Sequence, residues 1–198
     1  FGRTGTMFAC EQERVSPDFL CLSKGITGGY LPLAATLATE EVFNAFLNEP
    51  GKEDKTFQHG HTYTANPLGA AVAIASLDLL MADNGVLAQV DAKGQRMQRH
   101  LDRLWEFSFV GDIRRSGLMI GIELVGNRET RQPFTENINA AHVICMLAGK
   151  HGLMIRPLGD VVVLMPPLAI PEELVDRIGE VLYNCMMEFS IQLSGQGG

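Results

Sequence analysis

Residues 17–33 read PDFLCLSKGITGGYLPL. The run Phe19–Leu22 is short and apolar, which is typical of a buried strand. The segment 25–33 is too rich in glycine for a helix or a central strand and predicts a loop, and the apolar residues 34–38 predict a second strand. Lys24 therefore lies between a strand and a Gly-rich loop, the place where α/β proteins bind ligands.

The chemistry open to Lys24 depends on its surroundings. An amine at the mouth of a cleft can be partly desolvated, and a neutral lysine attacks carbonyl groups to form a Schiff base. Gly25, Gly28 and Gly29 would let the backbone approach a flat cofactor ring. The plainer alternative is an ordinary solvated lysine, and position alone favours that alternative.

A second polar segment precedes a predicted helix. Asn66 is suited to the N-cap and Pro67 to the first helical position. Residues 68–81 are rich in alanine and leucine and predict a buried helix that is apolar on nearly every face. Thr62 and Thr64 would gather at the positive end of this helix, which suits a phosphate group. They could equally satisfy the turn before the helix.

Arg156 follows a predicted strand at 153–155. A guanidinium at a strand end that faces a cleft can hold a carboxylate through two parallel hydrogen bonds. Most arginines at strand ends are instead solvated or paired within the protein, so both interpretations of Arg156 stay open. Arg3 and Arg114 could brace the turns beside them, and His59 could be a structural histidine.

The pattern along the rest of the chain predicts two domains. A helix at 86–107 would lead from the first core to the second, with a boundary at residue 91. Strands and helices then alternate, which indicates an α/β domain over 92–190. The predicted strands are 118–125, 153–155 and 161–164, and the predicted helices are 139–150 and 171–189. Residues 191–198 are small and polar and predict a flexible tail.

Composition points away from several classes of protein. The formal net charge is −7 and the 16 basic residues are scattered, so no electrostatic footprint for nucleic acid or an anionic membrane is evident. No apolar run reaches the ~18–20 residues of a membrane helix. The four cysteines form no CxxC pair, which favours free thiols in a reducing cytoplasm over a zinc site or disulfides. We expect no bound metal and a small-molecule partner.

Four segments resemble the class III aminotransferases, which are pyridoxal-phosphate-dependent enzymes of fold type I. Residues 1–11 resemble the family's FGRTGxMFAxE segment, and residues 17–25 its PD-(x)n-KG signature around the cofactor lysine. Residues 28–33 resemble its GGxxPL loop and residues 59–67 its HGxTYxxNP segment. The resemblance covers essentially the whole chain. It implies an α/β fold, with the C-terminal part of the large cofactor-binding domain followed by a small C-terminal α/β domain.

The resemblance implies a role for each candidate residue. Lys24 would carry pyridoxal 5'-phosphate and act as the general base. Thr62 would bind the cofactor phosphate, reaching across a homodimer interface into the partner's active site, and His61 would also contact the cofactor. Arg156 would hold a substrate carboxylate, and Gly60 would lie in the substrate site.

Two segments point to one subfamily. Met154–Pro157 and Leu164–Pro167 are most similar to the class III enzymes that convert 8-amino-7-oxononanoate to 7,8-diaminononanoate in biotin biosynthesis. In those enzymes the arginine that matches Arg156 holds the substrate carboxylate. The amino donor stays open between S-adenosylmethionine and lysine. His61 stands where some members have proline, and it could alter the choice of donor.

Two alternatives remain open. An ω-amino-acid:pyruvate aminotransferase shares the opening and lysine motifs, although Arg156 and Met165–Pro167 favour the biotin subfamily. A truncated chain could instead be a non-catalytic dimerisation module. The family's pyridine-nitrogen aspartate, glycine-serine phosphate turn and ring-stacking aromatic lie before the residue that matches Phe1. We therefore expect a fragment of a longer chain, inactive by itself.

Overall fold

The chain divides into two compact units. The computed structural model describes residues 1–135 and 138–195. The first unit holds Phe1 and Phe8–Gly85, and the second holds Gly2–Met7 and the chain from Val86 onward. No helix in the described ranges is both long and apolar enough to cross a membrane.

The division differs from the boundary predicted at residue 91 in two ways. It falls earlier, because the chain enters the second core with Val90, which is fully buried there. In addition, the opening segment Gly2–Met7 belongs to the second unit, although the sequence analysis assigned it to the first domain. A backbone hydrogen bond from the Leu118 N–H to the Arg3 carbonyl, at 2.9 Å, holds this segment within the second unit.

The first unit contains two strands and two helices. The strands β1 (Phe19–Leu22) and β2 (Ala35–Ala38) are antiparallel. The helices are α1 (Glu40–Asn44) and α2 (Pro67–Met81). The bounds of β1 confirm the strand predicted from its apolar run, and β2 lies within the predicted 34–38.

Two elements that were predicted to be buried are largely exposed in this unit. Phe19 in β1 is 57% exposed, and the α2 side chains of Leu68, Ile74 and Leu79 are 61–71% exposed. An apolar segment gains stability from burial, but it is buried only where another part of the protein packs over it. The buried residues of α2 are Gly69, Ala73 and Leu80. The described part of the chain therefore leaves much of α2 open to water.

The second unit is a four-stranded antiparallel sheet with helices. Its strands are β3 (Val110–Ser116), β4 (Met119–Leu124), β5 (Arg156–Leu158) and β6 (Val161–Leu164), in the order β3-β4-β6-β5. Its helices are α3 (Val90–Arg103), α4 (Ala140–Lys150) and α5 (Glu172–Gly195). These elements share one apolar core, and its largest fully buried side chains include Met97, Leu101, Leu118, Ile122, Ile144, Leu164 and Met186.

Three features of the second unit differ from the prediction. Strand β3 was missed, because Gly111 and the pair Arg114-Arg115 break the apolar alternation that marks a strand. The strand predicted at 153–155 begins instead at Arg156. The last helix continues through residues 191–195, which were predicted as part of a flexible tail. Residues 196–198 lie outside the described residues.

Helices α3 and α5 are joined by a row of charged groups. Arg96 donates to Asp176 through Nε at 2.8 Å and Nη2 at 2.5 Å, and also to Glu172. His100 Nε2 lies 3.0 Å from Asp176 Oδ1. One turn further along, Arg103 donates to Glu180 at 2.6 Å. A side chain at Gly179 would overlap the His100 ring, so glycine allows the two helices this close approach.

We expect Asp176→Asn to reduce the acid sensitivity of the second unit. Hydrogen bonds from Arg96, and next from His100, hold the pKa of Asp176 well below its ordinary value. A carboxyl group whose pKa is lower in the folded than in the unfolded protein stabilises the fold at pH values above its unfolded-state pKa, which is about 3.9 for aspartate. This stabilisation is lost as the pH falls from the unfolded-state pKa through the folded-state pKa. The variant should therefore melt earlier than the parent at neutral pH. It should also lose less stability between about pH 4 and about pH 2.

Thermal unfolding across this pH range is the measurement, at low salt because Asp176 is partly exposed and salt screens the interaction. Asp102→Asn is the matched control, since Asp102 on α3 accepts a hydrogen bond from the neutral amide of Gln98 at 2.8 Å. Identical acid profiles for Asp176→Asn and the parent would contradict the assignment.

Candidate active site

Lys24 stands where β1 turns into a tight loop. It is the first residue of a 3-10 turn, Lys24–Thr27, and its backbone is left-handed with φ 51°. A residue other than glycine rarely adopts this backbone conformation, which costs of order 1–3 kcal/mol. Such strain persists only where the surroundings fix it, and it concentrates at functional sites. The backbone thus marks Lys24 independently of its chemistry.

The neighbours of Lys24 hold this conformation in place. The buried Thr27 donates through its hydroxyl to the Leu31 carbonyl at 2.6 Å, which closes the loop behind the turn. Gly25 packs on the ring of Phe1, so closely that a Cβ there would lie 2.8 Å from the ring. Gly28, with φ 60°, ends the turn. Helix α2 packs against the same turn.

The Lys24 side chain is exposed, where the sequence analysis expected partial desolvation. Within the described ranges its amine makes no hydrogen bond and no ion pair. An exposed amine without a described partner fits an ordinary solvated lysine and also leaves the amine accessible to a ligand, so the geometry alone keeps both interpretations of Lys24 open.

Thr62 and Thr64 have different roles in the segment before α2. The Thr64 hydroxyl accepts from the His61 N–H at 3.1 Å, and the Thr64 N–H donates to the His61 carbonyl at 2.9 Å. Thr64 therefore satisfies the turn. In contrast, the exposed Thr62 hydroxyl has no partner among the described residues. This difference favours Thr62 over Thr64 as a ligand-binding group.

The start of α2 offers fewer free N–H groups than the sequence suggested. Asn66 caps the helix, and its side chain accepts from the Leu68 N–H at 3.0 Å. Pro67 has no N–H to offer. Ala65 adopts a left-handed conformation with φ 57°, which turns the chain into the helix. An anion at this end would depend more on the Thr62 hydroxyl than on the helix terminus.

His61 and Gly60 lie in the same segment. The Tyr63 N–H donates to His61 Nδ1 at 3.2 Å, and no partner is described for His61 Nε2. No atom lies within 4 Å of the point where a Gly60 side chain would begin. His59 instead stacks on Phe57, with ring centroids 5.4 Å apart. The two histidines thus differ in their contacts: His61 bonds to the turn before α2, and His59 packs on an aromatic ring.

Arg156 belongs to the second unit and is the first residue of β5, not the residue after a strand. Pro157 follows it, and an edge strand such as β5 tolerates the missing N–H. Arg156 is paired with Val163 of β6 across the sheet. Its side chain is exposed, and the guanidinium has no hydrogen-bond or ion-pair partner in the part of the chain that the structure describes. It is therefore free to bind an anion.

Two other cations of the second unit escaped the sequence analysis as site residues. Arg3 donates through Nη1 to the Met165 carbonyl at 3.1 Å and to the Pro166 carbonyl. Lys93 is buried and donates to the Leu168 carbonyl at 2.9 Å. A signal for Lys93 was present, since it falls on the apolar stripe of α3 with Val90 and Met97 at helical spacing.

Solved transaminases share this fold. The crystal structure of adenosylmethionine-8-amino-7-oxononanoate aminotransferase from Methanocaldococcus jannaschii aligns with a TM-score of 0.84 and 43% identity, over 95% of this chain and 43% of that chain. The omega transaminase from Pseudomonas jessenii in complex with PMP aligns with a TM-score of 0.85 and 29% identity, over 100% of this chain and 43% of that chain. The likeness confirms the fold class predicted from the sequence.

The chain belongs to the class-III aminotransferases, whose family model matches residues 1–186. The adenosylmethionine-8-amino-7-oxononanoate aminotransferase of Geobacter sulfurreducens is 51% identical over 176 residues, which are 89% of this chain and 38% of the relative. The enzyme of the same name from Aquifex aeolicus is 50% identical over 182 residues, or 92% of this chain and 40% of the relative. The chain thus spans about two fifths of the length of these relatives.

Proposed function

We propose that this chain is part of a pyridoxal-phosphate-dependent aminotransferase that converts 8-amino-7-oxononanoate to 7,8-diaminononanoate in biotin biosynthesis. The observation that carries the proposal is Lys24, a free amine on a strained left-handed backbone inside the family's lysine motif. The three enzymes of this name reported above are 43–51% identical, whereas the omega transaminase is 29% identical. This difference favours the biotin reaction over the ω-amino-acid:pyruvate alternative.

The groups present suit the cofactor. Lys24 offers an amine for the aldehyde, and the unpaired Thr62 hydroxyl suits a phosphate oxygen. Around Gly29 no atom lies within 4 Å of where a side chain would begin, which leaves backbone open to a flat ring. When bound, pyridoxal phosphate supplies the electron sink of the reaction. The Lys24 amine then holds the cofactor and, once released, carries the proton to and from the substrate carbon.

Arg156 would recognise the acceptor substrate. Its guanidinium has the planar fork that binds a carboxylate through two hydrogen bonds. Gly60, which carries no side chain, would line the substrate site, and His61 would line the cofactor site. Because His61 occupies a place next to Thr62, it can affect which amino donor enters, S-adenosylmethionine or lysine.

A homodimer with shared active sites accounts for the exposed face of α2. Leu68, Ile74 and Leu79 of α2 are 61–71% exposed, and a second subunit could cover some of these apolar side chains. The Thr62 turn leads directly into this helix. A second subunit seated on α2 would therefore receive Thr62 in its own cofactor site. The free thiols of this chain suit a reducing cytoplasm.

The test of this proposal is cofactor trapping followed by turnover. Full-length enzyme would be mixed with pyridoxal phosphate, and binding would be monitored by the visible absorbance of the cofactor. The complex would then be reduced with borohydride, and the labelled residue would be identified by peptide mapping. Label on Lys24, together with turnover of 8-amino-7-oxononanoate with either donor, supports the proposal. Label on Lys24 with turnover only of ω-amino acids and pyruvate would select the other class III enzyme. The absence of label would favour a non-catalytic module.

Thr62→Ala is expected to weaken binding of pyridoxal phosphate more than it slows the saturated enzyme. The substitution removes a hydrogen bond to a charged acceptor, worth about 1.5–3 kcal/mol, or roughly a tenfold to hundredfold rise in Kd. Titration of the cofactor-free enzyme measures it. Thr36→Ala, at an exposed position of β2, is the matched control. An unchanged Kd would remove Thr62 from the site.

Hybrid dimers tell which subunit Thr62 serves. One subunit would carry Lys24→Ala and the other Thr62→Ala. If Thr62 acts in the partner's site, the hybrid retains one site that has both Lys24 and Thr62, with the parent's cofactor affinity. If Thr62 acts in its own subunit, the one site with Lys24 lacks Thr62 and binds the cofactor weakly. The second result would reject the shared-site arrangement.

A further inference from the structure

The loop after β6 is held by two cations from distant parts of the chain. Arg3 donates to the carbonyls of Met165 and Pro166, and Lys93 Nζ donates to the Leu168 carbonyl at 2.9 Å. The prolines at 166 and 167 have no N–H, so they cannot anchor the loop by donating backbone hydrogen bonds. The position of residues 165–168, which we call the clamped loop, therefore depends on side-chain cations.

The clamped loop continues from the strand that pairs with Arg156. Arg156 lies opposite Val163 in β6, and the loop begins two residues later at Met165. Two residues of strand advance the backbone by only about 7 Å. A shift of the clamped loop is thus transmitted through β6 to the backbone of Arg156. The angle at which the guanidinium meets a carboxylate depends on that backbone.

Lys93 places a charged side chain at a buried position. Lys93 is 4% exposed, and its side-chain amine makes one described hydrogen bond, to the Leu168 carbonyl. Its helical neighbours Val90 and Met97 are fully buried apolar residues. Burying an ammonium group carries a desolvation cost that an apolar side chain of similar length avoids. Stability alone therefore does not account for a lysine here.

We propose that Lys93 is a positioning residue for recognition of the acceptor carboxylate. Through the clamped loop and β6, it sets the orientation of Arg156 in β5. This role rests on the proposed function, because it presumes that Arg156 binds the carboxylate. Lys93 does not touch the substrate or the cofactor in this role, and its contribution lies in the KM for a substrate that carries the carboxylate.

The test compares Lys93→Met with the parent in the full-length holoenzyme, on 8-amino-7-oxononanoate and on an analogue without the carboxylate. We expect KM for the first to rise about fivefold to twentyfold with kcat within about twofold, because Arg3 still holds the other end of the loop. KM for the analogue should not change. Hydrogen exchange at Ile170, whose N–H donates to the Pro167 carbonyl at 3.0 Å, should become faster.

Controls separate this inference from the proposed function. Lys150→Met removes an exposed lysine of the same unit and should leave both KM values unchanged. Arg156→Ala in the same assay shows whether Arg156 binds the substrate carboxylate. If it does not, the proposed function itself fails. If Arg156→Ala discriminates between the two substrates and Lys93→Met does not, Lys93 has no positioning role. A Lys93→Met enzyme that melts earlier and loses activity equally on both substrates would show a structural residue and overturn the proposal.

Discussion

Replacing Lys24 by alanine in the full-length enzyme is expected to lower transamination by at least about a thousandfold, since proton transfer by a positioned general base alone contributes about a hundredfold to ten-thousandfold. The amine also anchors the cofactor, so its loss removes two functions at once. Turnover of 8-amino-7-oxononanoate at saturating pyridoxal phosphate is the measurement. The visible absorbance of the bound cofactor should change as well.

The same substitution should leave the fold intact. The Lys24 side chain is exposed and makes no described hydrogen bond, so little packing is lost. Alanine is as strained as lysine at φ 51°, which keeps the backbone cost equal in the two proteins. Lys55→Ala, at another exposed lysine of the first unit, should keep full activity. Turnover by Lys24→Ala at the parent's rate would reject the assignment of Lys24.

Replacing Arg156 by alanine should have the second-largest effect, and the effect should depend on the substrate. Losing the partner of a bound carboxylate costs about 2 kcal/mol or more, which is a loss of at least about thirtyfold in kcat/KM for 8-amino-7-oxononanoate. An analogue without the carboxylate should be nearly spared, and cofactor binding should hardly change. Arg156→Lys should recover little, because lysine lacks the planar fork.

The matched control for Arg156 is Arg99→Ala, which removes an exposed arginine from α3. It changes the net charge by the same amount, so it separates long-range attraction of an anionic substrate from direct contact. If Arg156→Ala reduced kcat/KM equally for the acid and the analogue, the residue would be structural. The biotin reaction would then lose its main support in this part of the enzyme.

Local chemistry made part of the fold and site predictable. The N-cap of α2 follows from Asn66 and Pro67, because capping depends on adjacent residues alone. The bounds of β1 follow from four apolar residues between polar ones. The proposal of Lys24 as a site residue follows from its motif, and its left-handed backbone, which Arg14, Ala65 and Arg131 share, is compatible with that proposal. Each of these features is encoded within a few residues of where it appears.

The features that escaped prediction depend on distant parts of the chain. The exposure of α2 depends on which layers cover it, and its composition cannot reveal that. The residue types alone left Thr62 and Thr64 equivalent, and the family resemblance alone favoured Thr62; the bonds of Thr64 to His61 depend on the turn geometry, which the residue types do not specify. The start of β5 at Arg156 is set by pairing with Val163, and pairing register is a property of two strands together.

The placement of Gly2–Met7 in the second unit has a consequence for how the protein is made. These residues are synthesised before residues 8–85 of the first unit, yet their partner Leu118 is synthesised only after those residues. Gly117, with φ 58°, leaves room for this segment, since any side chain there would overlap the backbone of Arg3 and Thr4. Closing so long a loop carries an entropic cost that only late contacts offset. The second unit therefore combines segments from before and after residues 8–85, and a domain excised from Val86 onward would lack the Gly2–Met7 segment, which bonds to its β3–β4 turn.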